Sequence, residues 1–123
     1  MGDLSGDTNA DVKAADGATS QWIKVHVTEN HHDIGGRELK ALATLTSPPG
    51  TTYELYTYIA SADGVVECSA VSGTGNTYSA KFGESGITSN GNNDSRWVTY
   101  EVRHVSGPCD ATKKWSLKIE GNK

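Results

Sequence analysis

The sequence predicts an all-β protein: an antiparallel, jelly-roll-like β-sandwich of about seven or eight strands. Three observations carry that expectation. Apolar and polar residues alternate with period two in short runs from Gln21 onward. The gaps between the runs are filled with Gly, of which the chain has 14, and with Ser, Thr, Asn and Asp. Between the runs there is no apolar spacing of the kind that marks an amphipathic helix. The chain has 123 residues, which is one domain's worth, and a domain of this size buries roughly two-thirds of its unfolded surface.

Residues 1–20 hold almost no large apolar side chains and read as an N-terminal tail or, at most, one edge strand. Residues 21–123 read as the single sandwich domain. In Gln21–Thr28, Ile23, Val25 and Val27 share one face, and Trp22, Lys24 and His26 share the other. In Leu39–Thr46 the alternation sets Leu39, Ala41, Ala43 and Leu45 together. Residues 37–43 also suit a short helix by composition, but the alternation through Thr46 favours a strand. Pro48, Pro49 and Gly50 end this run, since proline lacks a ladder donor and glycine turns the chain. Residues 53–60 are aromatic and β-prone, with Tyr56 and Tyr58 opposite Leu55, Thr57 and Ile59. The hairpin signal Ala62-Asp63-Gly64 leads into an expected strand over 65–71. Tyr78, Ala80 and Phe82 mark a short strand, residues 96–105 the longest one, and Trp115, Leu117 and Ile119 an inward face on the last.

Charge narrows the function. Eleven Lys and Arg against 15 Asp and Glu leave a net charge of −4 with no basic cluster. That disfavours nucleic acid and anionic membrane surfaces as partners. No apolar run approaches the ~20 residues that span a bilayer, so no membrane insertion is expected. Met1-Gly2-Asp3-Leu4 does not have the charged-then-apolar pattern of a signal segment. Loops rich in Asn, Gly, Ser and Thr fit an exported bacterial protein, secreted or at the cell surface, whose signal peptide is absent from this stretch. A monomeric domain is expected.

The two cysteines, Cys68 and Cys109, are expected to form a disulfide, as an even count in an exported chain implies; free thiols are the alternative. In the chain-entropy model such a bridge contributes roughly 4 kcal/mol. His31-His32-Asp33 reads as a polar connecting loop more simply than as a metal site. His26 and His104 sit on strands and are expected to face solvent. Asp7, Asn9 and Asp11 place oxygen side chains at alternate positions, like the opening of a calcium loop. The remainder of that loop is missing: Val12 stands where an EF-hand has Gly, and Ala18 where it has the bidentate Glu. A weaker oxygen-rich loop lies at 90–94.

Aromatic residues offer a second kind of site. Tyr56, Tyr58, Trp22 and Tyr100 project from one side of their strands. Exposed together they form a binding face, because flat rings supply contact area at low entropy cost. The alternative is that both sheet faces are partly buried, with these rings as a second layer of the core. Trp97 and Trp115 are expected in the core. The sequence has no Gly-x-Ser-x-Gly, His-Glu-x-x-His, phosphate loop or Cys-x-x-Cys, so no enzyme is expected.

Three segments in this order resemble the bacterial pre-peptidase C-terminal domain family, which are small jelly-roll-like sandwiches attached to secreted proteases and other exported enzymes. They are Gln21-Trp22-Ile23-Lys24-Val25-His26-Val27, then Leu45 through Pro48-Pro49-Gly50 to Tyr58, then Trp97 to Val105 followed by Trp115-Ser116-Leu117-Lys118-Ile119. The resemblance spans about residues 20 to 120. Thr52 and Glu54 stand where the family usually has two Asp, and the cysteine pair is not a general family feature. The resemblance implies a non-catalytic accessory domain that attaches its parent, a secreted hydrolase, to an extracellular polymer (a protein such as collagen, or a polysaccharide) or serves secretion and processing. It also implies calcium near the N-terminal segment, as in the collagen-binding members. The alternative is a stand-alone adhesive or structural sandwich whose edge strand pairs with a partner.

Overall fold

A computed structural model describes residues 2–6, 11–28, 39–60, 73–82 and 95–123. These residues form nine strands: β1 (Asp3–Ser5), β2 (Val12–Gly17), β3 (Gln21–Thr28), β4 (Leu39–Thr46), β5 (Thr52–Ile59), β6 (Gly73–Gly75), β7 (Thr77–Phe82), β8 (Arg96–Ser106) and β9 (Trp115–Gly121). No helix occurs among the described residues. Sheet A has the order β1-β3-β8-β5-β6 and sheet B the order β2-β9-β4-β7. Every pairing is antiparallel except β1 beside β3. The expected all-β class with two sheets is therefore correct. Residues 39–46 form a strand and not a helix. The strand expected over 65–71 lies outside the described residues.

The alternation in each strand decides which residues meet between the sheets. Val25 and Val27 of β3, Leu55 of β5 and Val98, Tyr100 and Val102 of β8 face inward from sheet A. Ala41 and Leu45 of β4 and Trp115, Leu117 and Ile119 of β9 meet them from sheet B in a single buried cluster. Ile23 and Ile59 pack partly buried at its margin. Consecutive strands from β2 onward lie in opposite sheets, apart from β5 and β6. Between β6 and β7 the chain passes from sheet A to sheet B across the single residue Asn76.

The described part of residues 1–20 supplies two edge strands, one to each sheet, where at most one was expected. Leu4 is fully buried and carries β1 into the core. A side chain at Gly121 would collide with the Ser5 carbonyl, so the glycine lets β1 lie against the end of β9. β2 buries none of its side chains and is held by six residues of backbone pairing with β9. A strand held in that way leaves no apolar pattern to read. At one end of the sandwich, Trp115 Nε1 donates to Thr19 O at 2.8 Å and Tyr53 Oη donates to Ala18 O at 3.0 Å, which fixes the turn between β2 and β3. Beside it Thr51 Oγ1 donates to Pro108 O at 2.7 Å, tying the β4–β5 turn to the β8–β9 turn.

A candidate binding face on sheet A

The outward side chains of β3, β8 and β5 lie in rows set by strand register. Trp22, Glu101 and Tyr56 form one row and Lys24, Thr99 and Tyr58 the next. His26 and Trp97 follow at one end, and Arg103 and Glu54 at the other. The rows interlock. The Trp22 indole stacks on the Tyr58 ring with centroids 5.3 Å apart and planes 30° apart. Because Trp22 is level with Glu101 and Tyr58 is level with Thr99, this stack crosses β8 diagonally between those two residues. Arg103 places its guanidinium 3.8 Å from the Tyr56 ring centroid. Lys24 Nζ lies 4.5 Å over the Trp97 ring, which His26 also stacks against at 4.7 Å.

Glu101 is the electrostatic centre of this face and is 9% exposed. Its two carboxylate oxygens accept from Arg103 Nε at 2.9 Å and Arg103 Nη2 at 2.8 Å, and Oε1 also accepts from Tyr58 Oη at 2.9 Å. The bidentate Arg103 pair holds the carboxyl below its ordinary value of 4.5; burial opposes this, and the Tyr58 hydroxyl adds to it. Arg103 is in turn held above its ordinary value by Glu101. Tyr56 Oη donates to Glu54 Oε2 at 2.8 Å, which raises the phenol's pKa. At the margin His26 Nδ1 lies 3.2 Å from Asp3 Oδ1, joining the face to β1. Thr99 Oγ1 is buried in the middle of the face without a hydrogen-bond partner.

Of the four aromatic residues expected on a binding face, Trp22, Tyr56 and Tyr58 do come together there. Trp22 is 54% exposed, Tyr56 is half-buried and Tyr58 is buried beneath the indole. Tyr100 does not join them; it is fully buried in the core, and burial pushes its hydroxyl well above the ordinary phenol range. Trp97, expected in the core, lies half-buried on the outer face in its place. The reason is the phase of β8. Turning Trp97 inward would also bring Glu101 and Arg103 between the sheets, and burying two charges costs far more than leaving one indole outside. Trp115 is buried in the core, as expected. The role of Glu101 and Arg103 was missed. The signal available was that a buried-looking strand carried both charges on the phase opposite Val98 and Val102.

The other candidates gather no site among the described residues. Asp7 and Asn9 lie outside the described residues. Asp11 Oδ2 accepts from the Ser5 amide at 2.9 Å, so its carboxylate serves to fasten β1. A shallow depression of about 270 Å³ lies beside it against Glu120 and Asn122. Among the described residues no three His, Cys, Asp or Glu side chains come together to hold a metal ion. Cys109 is an exposed free thiol, and the expected bridge to Cys68 involves a residue outside the described ones. His31, His32, Asp33 and the 90–94 loop also lie outside. His104 does not project freely into solvent: its Nε2 lies 2.6 Å from Gly107 O and its ring meets the edge of Tyr53.

No protein-family model, curated protein or solved structure matches this chain.

Proposed function

We propose that the protein is a non-catalytic binding module of an exported bacterial protein, and that it attaches to an extracellular polymer through the outer face of sheet A. The observation that carries this reading is Trp22, 54% exposed on the outer face of sheet A with its ring backed by Tyr58. Tryptophan is enriched among the few residues that carry most of the energy of binding surfaces. The floor beneath it is held rigid by the Glu101–Arg103–Tyr58 network, so little ordering remains to be done on binding. Glu101 is kept ionised by three donated hydrogen bonds, which suits a structural brace better than a proton shuttle. In this reading the order β2-β9-β4-β7 over β3-β8-β5-β6, with β1 added at the edge of sheet A, is taken as a jelly-roll-like arrangement. The setting proposed with it, a module joined to a secreted hydrolase, is the one that the resemblance to the pre-peptidase C-terminal family implies.

The test is co-sedimentation of the protein with insoluble polysaccharides and with collagen fibrils. Wild-type protein should pellet with at least one of them. Trp22→Ala should weaken that binding at least tenfold without changing the far-UV circular dichroism. Equal binding by Trp22→Ala removes this face from the proposal.

A further inference from the structure

The chemistry of the same face narrows the kind of polymer, and this narrowing rests on the binding reading above. Every charged group on the face is already engaged within it. Arg103 is paired with Glu101 and lies over Tyr56, Lys24 lies over Trp97, Glu54 accepts from Tyr56, and Asp3 meets His26. A polyanion or polycation would therefore compete with contacts these groups already make within the face. The remaining means of recognition are flat aromatic surface and hydrogen bonding. Neutral sugar rings match both, with apolar C–H faces to lie on a ring and a rim of hydroxyls around them.

A second observation, independent of the rings, also points to a ligand. Thr99 is 95% buried at the centre of the face, and its hydroxyl has no partner. Buried hydroxyls are ordinarily hydrogen-bonded. By strand register the Trp22–Tyr58 stack crosses β8 beside this residue, and Trp22, 54% exposed against 4% for Tyr58, is its outer member, joined to the sheet by a rotatable side chain. We infer that the face takes a neutral polysaccharide: the Trp22 indole lifts from Tyr58, a sugar ring enters between the two aromatic rings, and a sugar hydroxyl hydrogen-bonds to Thr99 Oγ1 on the floor.

The experiment compares wild type, Trp22→Ala and Thr99→Val against cellulose, chitin and mannan as neutral polymers, polygalacturonate as a polyanion, and collagen fibrils. Thr99→Val keeps the shape of the side chain and removes the hydroxyl. It should weaken neutral-glycan binding at least fivefold while the melting temperature stays level or rises. If Trp22→Ala does not fold, Trp22→Phe retains a ring and should keep part of the binding. Trp22-dependent binding to collagen or polygalacturonate alone overturns the neutral-glycan inference but leaves the binding face standing. Neutral-glycan binding that Thr99→Val leaves unchanged overturns the role of the floor hydroxyl and the opening of the stack. No binding to any of these polymers, or binding unaffected by Trp22→Ala, overturns both readings.

Discussion

The outer face of sheet A and the outer face of sheet B arise from the same alternation, yet they are built of different material. On sheet B, Lys40, Leu42 and Thr44 of β4 lie beside Ser116, Lys118 and Glu120 of β9 and the small side chains of β2. Its ion pairs, Lys118–Glu120 at 3.3 Å and Lys123–Glu120 at 2.8 Å, tie lysines more than half exposed to a carboxylate side chain that is itself 16% exposed. On sheet A, an ion pair of similar length has a carboxylate side chain about as buried, 11% exposed, and differs in its surroundings: its arginine is laid over a tyrosine and a second tyrosine donates to the carboxylate. Sheet B thus keeps its ordered packing on the inside, whereas sheet A carries ordered packing on both sides. Holding long, flat side chains in one arrangement costs conformational entropy that short side chains do not incur. An outer layer kept at that cost marks the face where a partner is to be expected.

The comparison breaks most visibly if sheet B does not depend on its interior. Trp115→Ala removes the largest fully buried side chain and its hydrogen bond to Thr19, and should destabilise the fold by about 3–5 kcal/mol in denaturant unfolding. A loss below about 1 kcal/mol would place the organising interior elsewhere. The next largest effect belongs to the outside of sheet A. Glu101→Ala leaves the Tyr58 hydroxyl without its acceptor in a buried setting and should cost about 1–3 kcal/mol. The matching change on sheet B, Lys118→Ala, should leave the unfolding midpoint unchanged. Equal effects from the two would erase the distinction between the faces.

Acid and salt sharpen it further. Glu101 and Glu120 are both held below the ordinary value of 4.5, the first chiefly by Arg103 and the second chiefly by Lys123. A carboxylate whose pKa is lowered by folding stabilises the protein above its unfolded pKa, and that stability is lost as pH falls through the lower, folded value. Melting temperature should therefore fall as pH is taken below about 4.5, and both Glu101→Gln and Glu120→Gln should flatten that fall. In 1 M salt, where the Debye length is about 3 Å, the Glu120 contribution should vanish while that of Glu101 persists. Equal salt sensitivity would mean that the Glu101 pair is as open to solvent as its counterpart.

How far the sequence could be read follows from the same contrast. The strand positions of β3, β4, β8 and β9 were legible because alternation is a local property, and so was the buried Trp115. Local alternation also placed Trp22, Tyr56 and Tyr58 together on the opposite side from Leu55 and Val25. It could not say which phase of β8 faces inward, because that choice weighs Trp97 against the charges of Glu101 and Arg103 across the whole strand. Nor could it reveal β2, which is held by its backbone, or the diagonal contact of Trp22 with Tyr58, which depends on the register of three strands far apart in sequence. The unpartnered Thr99 hydroxyl is legible only in three dimensions, since a threonine in a strand is otherwise unexceptional.

The position of β9 has a consequence in time. It lies between β2 and β4, so the middle of sheet B is filled by the last of the strands to be synthesised. Until β9 emerges from the ribosome, β2 has no partner in its sheet, β4 has only β7, and the inner face of β4 has no Trp115 to pack with. Sheet A likewise waits for β8 to join β3 to β5. Contacts of such long sequence separation make for slow folding. A nascent chain of this design keeps strand edges unsatisfied in both sheets until β8 and β9 have been made.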